Sequence, residues 1–304
     1  MKKKLILFLF YCLIIESGFS QDRIIVKNDS AINRKRLTAA VVTLSSLYIA
    51  ELSYLKFIWY KDHKRVPFNF YKDGKGWLQI DKFGHAYGSY IESYIGYKWL
   101  RDAGVPKNKA LLYGGTLGIL LQAPIEIFDG PYEAYGFSWT DIIANVAGSA
   151  LLIGQEVLFD EQLFKYKFSF TRSPYAEQAH GYLGDNNLNS LWYDYNGHSY
   201  WLSANANKFI LKKELPDWIN IAVGYSGNGM FGEFKNIISY NGKPITETKR
   251  YRQYLLSVDV DWLKIKTRSK ILKFFFQGMN FIKIPAPTIE FNSLGKVKGY
   301  ALYF

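Results

Sequence analysis

Cysteine is nearly absent: the 304 residues contain one, Cys12. It lies in an apolar N-terminal run, so the rest of the chain has no disulfide, no thiolate nucleophile and no thiolate metal site. Any metal must be held by imidazole, carboxylate or backbone oxygen. Histidine is scarce too, at four, which leaves few general bases or imidazole ligands. There is no Gly-x-Ser-x-Gly elbow. The glycine-rich stretch 224–232 lacks the Lys-Ser/Thr pair of a phosphate loop and reads as a strand end followed by a flexible loop. Internal repeats, low-complexity tracts and dense basic patches are also missing, so no nucleic-acid partner is expected.

The first twenty residues have the layout of a secretory signal: Lys2, Lys3 and Lys4, then apolar residues 5–15, then small residues. The apolar run is shorter than the roughly 20 residues of a spanning helix, and Gly18 and Ser20 suit a cleavage site after Ser20. Phe10 and Tyr11 are too bulky for a lipoprotein box at Cys12. The formal charge is +12 and aromatic residues make up 18% of the chain. Basic charge with that aromatic density suits a membrane–water interface and anionic headgroups, so membrane lipid is the expected partner. The chain therefore reads as exported to the cell envelope, at the outer membrane or the periplasmic face of a membrane.

After the signal (1–20) and a polar lead-in (21–37), the pattern is helical to residue 159. Residues 38–60 form a long apolar stretch broken only by Glu51 and Lys56. A polar loop with turn signals covers 61–78. Three further helices are expected at 80–100, 107–128 and 138–159, with Pro124 kinking the second. Ser138 followed by Asp141 resembles a capping box. From residue 160 the period changes to two. Residues 164–170 alternate aromatic and polar, as a half-exposed strand does. Further strands are expected at 198–204, 219–225, 254–265, 288–291 and 298–304, with an Asn196-Gly197 hairpin turn and a basic amphipathic helix at 267–282. The expected fold is α+β and membrane-associated: a bundle of about four apolar helices at 38–159, then an antiparallel β-rich region at 160–304. The final aromatic alternation ending in Phe304 is common in outer-membrane barrels. About six strands are fewer than the eight of the smallest barrels, so a small sheet packed on helices or membrane is the plainer reading.

Each apolar helix carries one narrow polar stripe. Asp81 and His85 are four apart, with Lys82 beside them, Gly84, Gly88 and Ser89 close by, and Glu92 continuing the face. Gly114, Gly118, Gln122, Glu126 and Asp129 recur at four, four, four and three. Asp141, Asn145 and Gly148 lie at i, i+4 and i+7. Isolated carboxylates in apolar surroundings must pair, neutralise or bind a cation, and glycines permit close approach. A polar cluster of Asp81, Lys82, His85, Gln122, Glu126, Asp129, Asp141 and Asn145 is therefore expected. In one reading His85 and the acids share acid–base work or hold a divalent metal, with His85, Asp81 and Glu126 as ligands. In the other, the cluster is a hydrogen-bond network that fixes helix register.

The ordered motifs Asp81-Lys-x-x-His85, Glu126-x-x-Asp129 and Gly136-x-Ser-Trp-x-Asp141, with Asn145 and Gly148, resemble the YfiM-like family over residues 77–158. These are bacterial envelope proteins of unknown function, often described as periplasmic lipoproteins. The longer form, with Asp194-Tyr-Asn-Gly and Pro285-Ala-Pro287 in an aromatic tail, is similar to proteins of Bacteroidetes-type bacteria. A fainter similarity is to VanZ-like membrane proteins, through Asp-Lys-x-x-His and the later Asp141, Asn145 and Gly148. The resemblance implies an envelope protein and supplies no reaction. Three functions stay open: a structural or accessory protein, a hydrolase of lipid-linked or cell-wall material using His85, Asp81, Glu126, Asp129 and Asp141, and a lipid-binding module.

Overall fold

A computed structural model describes residues 32–209 and 215–304. The expected signal segment, Cys12 and most of the expected lead-in lie outside the described residues. The architecture is α+β, with helices in the N-terminal half and an antiparallel sheet in the C-terminal half. It divides into two compact units. The helical unit takes in residues 32–74 and His85–Glu161; the β unit takes in Lys75–Gly84 and Gln162–Phe304.

In the helical unit, α1 (Arg34–Tyr54) starts at Asn33, whose side chain accepts the Arg36 N–H, and ends in a π turn at Leu55–Trp59. It begins four residues earlier than the sequence suggests, because Asn33 supplies the cap and Arg34, Lys35 and Arg36 are good helix formers. Helix α2 (Ile80–Asp102) runs through both units, its first turn counted with the β unit. The expected helix at 107–128 is two: α3 (Lys107–Tyr113) and α4 (Leu117–Asp129). The break falls at Gly114–Gly115, not at Pro124, which stands inside α4. Gly114 lies against the backbone of Gly96 and Tyr97, and a glycine pair gives the chain the freedom to jog there. Helix α5 (Trp139–Phe159) is capped by Ser138, whose hydroxyl accepts the Asp141 N–H at 3.1 Å. The loop before α2 is pinned along the α4–α5 connection: Val66 N–H donates to Pro131 O, and Tyr71 N–H to Phe137 O.

Among the described residues, three helical stretches are long and apolar enough to cross a membrane: Arg34–Trp59, Lys107–Asp129 and Trp139–Phe159. Their polarity is reversed from that of a soluble bundle. Ser89, Ser93, Asn145 and Ser149 are fully buried, while Val42, Ile49, Leu120, Ile143 and Leu158 are exposed.

The β unit is a six-stranded antiparallel sheet in the order β1-β2-β3-β6-β7-β8, with a two-residue ladder of β4 (Ser239–Tyr240) and β5 (Lys243–Pro244) beside it. The strands are β1 (Phe164–Phe170), β2 (His198–Asn205), β3 (Ile219–Asn228), β6 (Tyr251–Val260), β7 (Ala286–Asn292) and β8 (Val297–Tyr303). Helix α6 (Lys270–Met279) replaces the longer helix expected at 267–282. Asn196-Gly197 makes a short 3-10 turn leading into β2, not a hairpin. The Asn196 side chain is used inside instead, donating to Met230 O at 2.9 Å and accepting from Met230 N at 2.7 Å. Strand β1 also differs from expectation. Its polar side is buried: Lys165 pairs with Asp261, and Lys167, 0% exposed, sits 2.7 Å from Asp259.

Just before α2, Trp77, Leu78 and Gln79 have left-handed φ values of 45°, 52° and 69°. Side chains strain in that region, and the β unit holds the turn: Trp77 N–H donates to Glu233 O, Tyr225 OH to Leu78 O and Arg252 to Gln79 Oε1.

Candidate functional site

The centre of the helical unit is built by glycines before it is built by acids. A Cβ at Gly118 would run into the Ser89 backbone, and one at Gly148 into the Ala86 carbonyl. These contacts bring α4 and α5 against α2 at backbone distance. A hydroxyl ladder then ties the helices together. Ser89 Oγ donates to Asn145 O at 2.6 Å, Ser149 Oγ lies 2.9 Å from Ser89 Oγ and 2.8 Å from Ser93 Oγ, and Gly118 N–H donates to Ser93 Oγ at 3.1 Å.

One turn away, the stripes of α2, α4 and α5 meet at His85. Its Nε2 is 3.6 Å from Asp141 Oδ1 and 4.0 Å from Glu126 Oε1, and its Nδ1 is 3.2 Å from Asn145 Oδ1. The two carboxylates are buried and the imidazole is 20% exposed at the side chain. Glu126 reaches across to the start of α5, where its Oε2 accepts the Ser138 N–H at 3.3 Å. An acid from a neighbouring helix therefore completes the Ser138 cap, a role the sequence assigned to Asp141. The Asn145 Nδ2 is buried without a hydrogen-bond partner.

Gln122 and Asp129 have hydrogen-bond partners of their own. Gln122 Nε2 donates to Glu92 Oε2 at 3.1 Å. Asp129 accepts from Tyr60 OH at 2.5 Å, and the Tyr60 ring stacks on Tyr132 with centroids 4.4 Å apart. Lys82 pairs with Asp81 at 2.9 Å, and Asp81 also accepts from Tyr195 OH at 3.3 Å, all within the β unit. Asp81 remains one helical turn before His85 on α2. Two residues escaped the sequence reading. Asp73 accepts from Ser138 Oγ and Thr140 Oγ1, each at 2.7 Å. It sits in a loop with no period, so no pattern could flag it. Tyr60 is the last residue of the apolar stretch 38–60, and nothing in that stretch marks it as the partner of a carboxylate.

Chemically, an imidazole between two buried carboxylates can accept or release a proton, or can join them around a hard or borderline cation. The β unit titrates differently. Burial pushes His198 down to about 4, opposed by the Leu191 carbonyl bond and Asp81. Burial also lowers Lys283 to about 8. Glu290 is held below its usual range although burial raises it, because Tyr300, Asn292 and Gln253 donate to it.

The model of a family described as "Predicted periplasmic lipoprotein (DUF2279)" matches residues 70–154. The match takes in His85, Glu126, Asp141 and Asn145, and also Asp73. No curated protein and no solved structure matches the chain. The chain is an exported protein of the cell envelope, in keeping with that description.

Proposed function

We propose that the chain is a membrane-embedded accessory protein of the bacterial envelope, and that its imidazole–carboxylate centre locks three helices in register. The observation that carries this is the reversed polarity of the helical unit. Fully buried serines and Asn145 face inward, and Val42, Ile49, Leu120, Ile143 and Leu158 face outward. Lipid offers no hydrophobic drive for helices to associate, so close glycine contacts and interhelical hydroxyl and amide bonds must do it. The Ser89–Ser149–Ser93 ladder and the backbone contacts at Gly118 and Gly148 are of that kind. Alkaline carbonate extraction of cell membranes tests the reading. The protein is expected to stay in the pellet; release into the supernatant counts against embedding. On the motifs quoted above, we read residues 77–158 as YfiM-like, with the VanZ-like similarity secondary.

A second reading is favoured by one observation: His85 is the part of the centre that solvent or a ligand can reach, with both acids within 4.0 Å of its Nε2. A divalent cation held by His85, Asp141 and Glu126, with Asp81 one turn before, would suit hydrolysis of a phosphate or ester on lipid-linked material. Calorimetric titration of the purified protein with zinc and manganese separates the readings. Stoichiometric binding lost in His85→Gln supports the cation, and its absence leaves the architectural role.

A further inference from the structure

We infer that the β unit carries its own membrane-seating surface, made of the outer face of β3, β6, β7 and β8 together with helix α6, and that its partner is an anionic lipid surface. This does not rest on the embedding of the helical unit, because every observation below lies in the β unit.

Strand side chains alternate between faces. In a sheet with one side in water, the apolar face turns inward. Here the inward face is mostly polar: Lys167, Ser203, Asn220, Asp259, Glu290 and Thr288 are all buried, around a small apolar cluster of Trp201, Ala222 and Leu255. It is also largely satisfied internally. Lys167 pairs with Asp259, Ser203 Oγ donates to Asp259 at 2.5 Å, and Glu290 accepts from Tyr300 and Gln253 at 2.6 and 2.7 Å.

The sheet curls around this interior. Ser199 on β2 lies 3.3 Å from the Tyr303 hydroxyl on β8, although three strands separate them in the order. The segment 281–283 hydrogen-bonds the far edge of β1 through Phe168 and then continues into β7. Polar groups turned in and apolar groups turned out is the alternation of a lipid-facing barrel wall.

The outward residues form continuous rows. Leu202, Val223, Leu256 and Ile289 are directly paired from β2 to β7, as are Tyr225, Tyr254, Phe291 and Val297 from β3 to β8. Directly paired residues share a face, so each row is one apolar stripe. Leu256, Ile289, Phe291 and Val297 are 42 to 64% exposed. A monomer in water does not keep an apolar patch of that extent bare.

Charge selects the occupant. Between Trp262 and Ile289 the chain carries Lys264, Lys266, Arg268, Lys270, Lys273 and Lys283 and no acid. The first five precede or open α6, which buries none of its residues and exposes Ile271 and Phe275. A basic helix with an exposed apolar face lies in the headgroup layer of an anionic membrane. Like charge on a second copy would oppose self-association through the same region.

The test uses the full chain in a Cys12→Ser background, reconstituted into phosphatidylethanolamine–phosphatidylglycerol vesicles. Single cysteines at Leu256, Ile289 and Phe275 carry an environment-sensitive fluorophore, with Glu177→Cys as a solvent control and Val42→Cys as a reporter of the helical unit. Quenching by doxyl-labelled lipid at least twofold above the Glu177 control is expected at all three β-unit positions. At Phe275 the quenching should fall to the control level when phosphatidylglycerol is omitted or in Lys270→Glu/Lys273→Glu. Iodide quenching at Leu256 and Ile289 equal to the control overturns the proposal. So does protection from both quenchers, which would mean a protein partner. Failure at Val42 with success at Leu256 would sink the helical reading alone.

Discussion

The two units solve one problem with different materials. Both turn many polar groups in and leave apolar groups out, but the helical unit does so along thin stripes and the β unit across most of one sheet face. In the helical unit the interior is made of glycine contacts and serine hydroxyls, and His85 stands between two buried acids. In the β unit charge is spread and paired: Lys165 with Asp261, Lys167 with Asp259 and Glu290 with three donors. The comparison teaches that a paired interior is scaffolding. In the helical unit His85 lies beside two buried acids, and the proposal of cation binding rests on that place.

The comparison breaks most visibly at Lys167. In Lys167→Met, Asp259 loses its buried cation, and the β unit should lose about 3–5 kcal/mol while helical content at 222 nm changes little. A loss below about 1 kcal/mol would mean the pair is not holding the interior. Next in size is a pH effect confined to the β unit. The folded pKa of His198 is about 4, below the ordinary 6.5. Its neutral form is the one the fold accepts, so this stability is full above pH 6.5 and declines as pH falls towards 4. The loss should approach about 3 kcal/mol. Thermal melts of the detergent-solubilised protein followed by near-ultraviolet circular dichroism should show the decline, and His198→Gln should flatten it.

Glycine contacts sharpen the helical side. Gly148→Val pushes a side chain into the Ala86 carbonyl and should cost about 1–3 kcal/mol, read as a lowered melting temperature in detergent. Gly154→Val, with open space around it, should cost much less. A small stability effect is also expected for His85→Gln, at about 1 kcal/mol. A Gln at that position still reaches hydrogen-bond partners, so any loss of cation binding in this variant reports on the imidazole itself and not on unfolding.

Much of this arrangement was legible in the sequence. Stripes at four-residue spacing named His85, Glu126, Asp141 and Asn145, because buried polar groups on apolar helices must converge. Strand β1 was located to the residue, because Phe164, Tyr166, Phe168 and Phe170 alternate with polar neighbours. What period alone does not give is which face turns inward. Lys165 and Lys167 read as solvent-facing and are buried, since the choice depends on partners about ninety residues away. The division of one expected helix at Gly114–Gly115 was hidden for a related reason: the backbone it accommodates belongs to Gly96, on a different helix. Asp129 and Gln122 hydrogen-bond Tyr60 and Glu92, which the stripe argument did not pair with them.

The reversed polarity of the helical unit can be tested at a single residue. Leu158 is 73% exposed, so in water a cysteine there would react freely with a charged maleimide. In intact membrane vesicles Leu158→Cys should stay unlabelled while Glu133→Cys, in the α4–α5 connection, labels from whichever side faces the reagent once both sides are opened to it. Labelling of Leu158→Cys at the rate of Glu133→Cys would contradict the account.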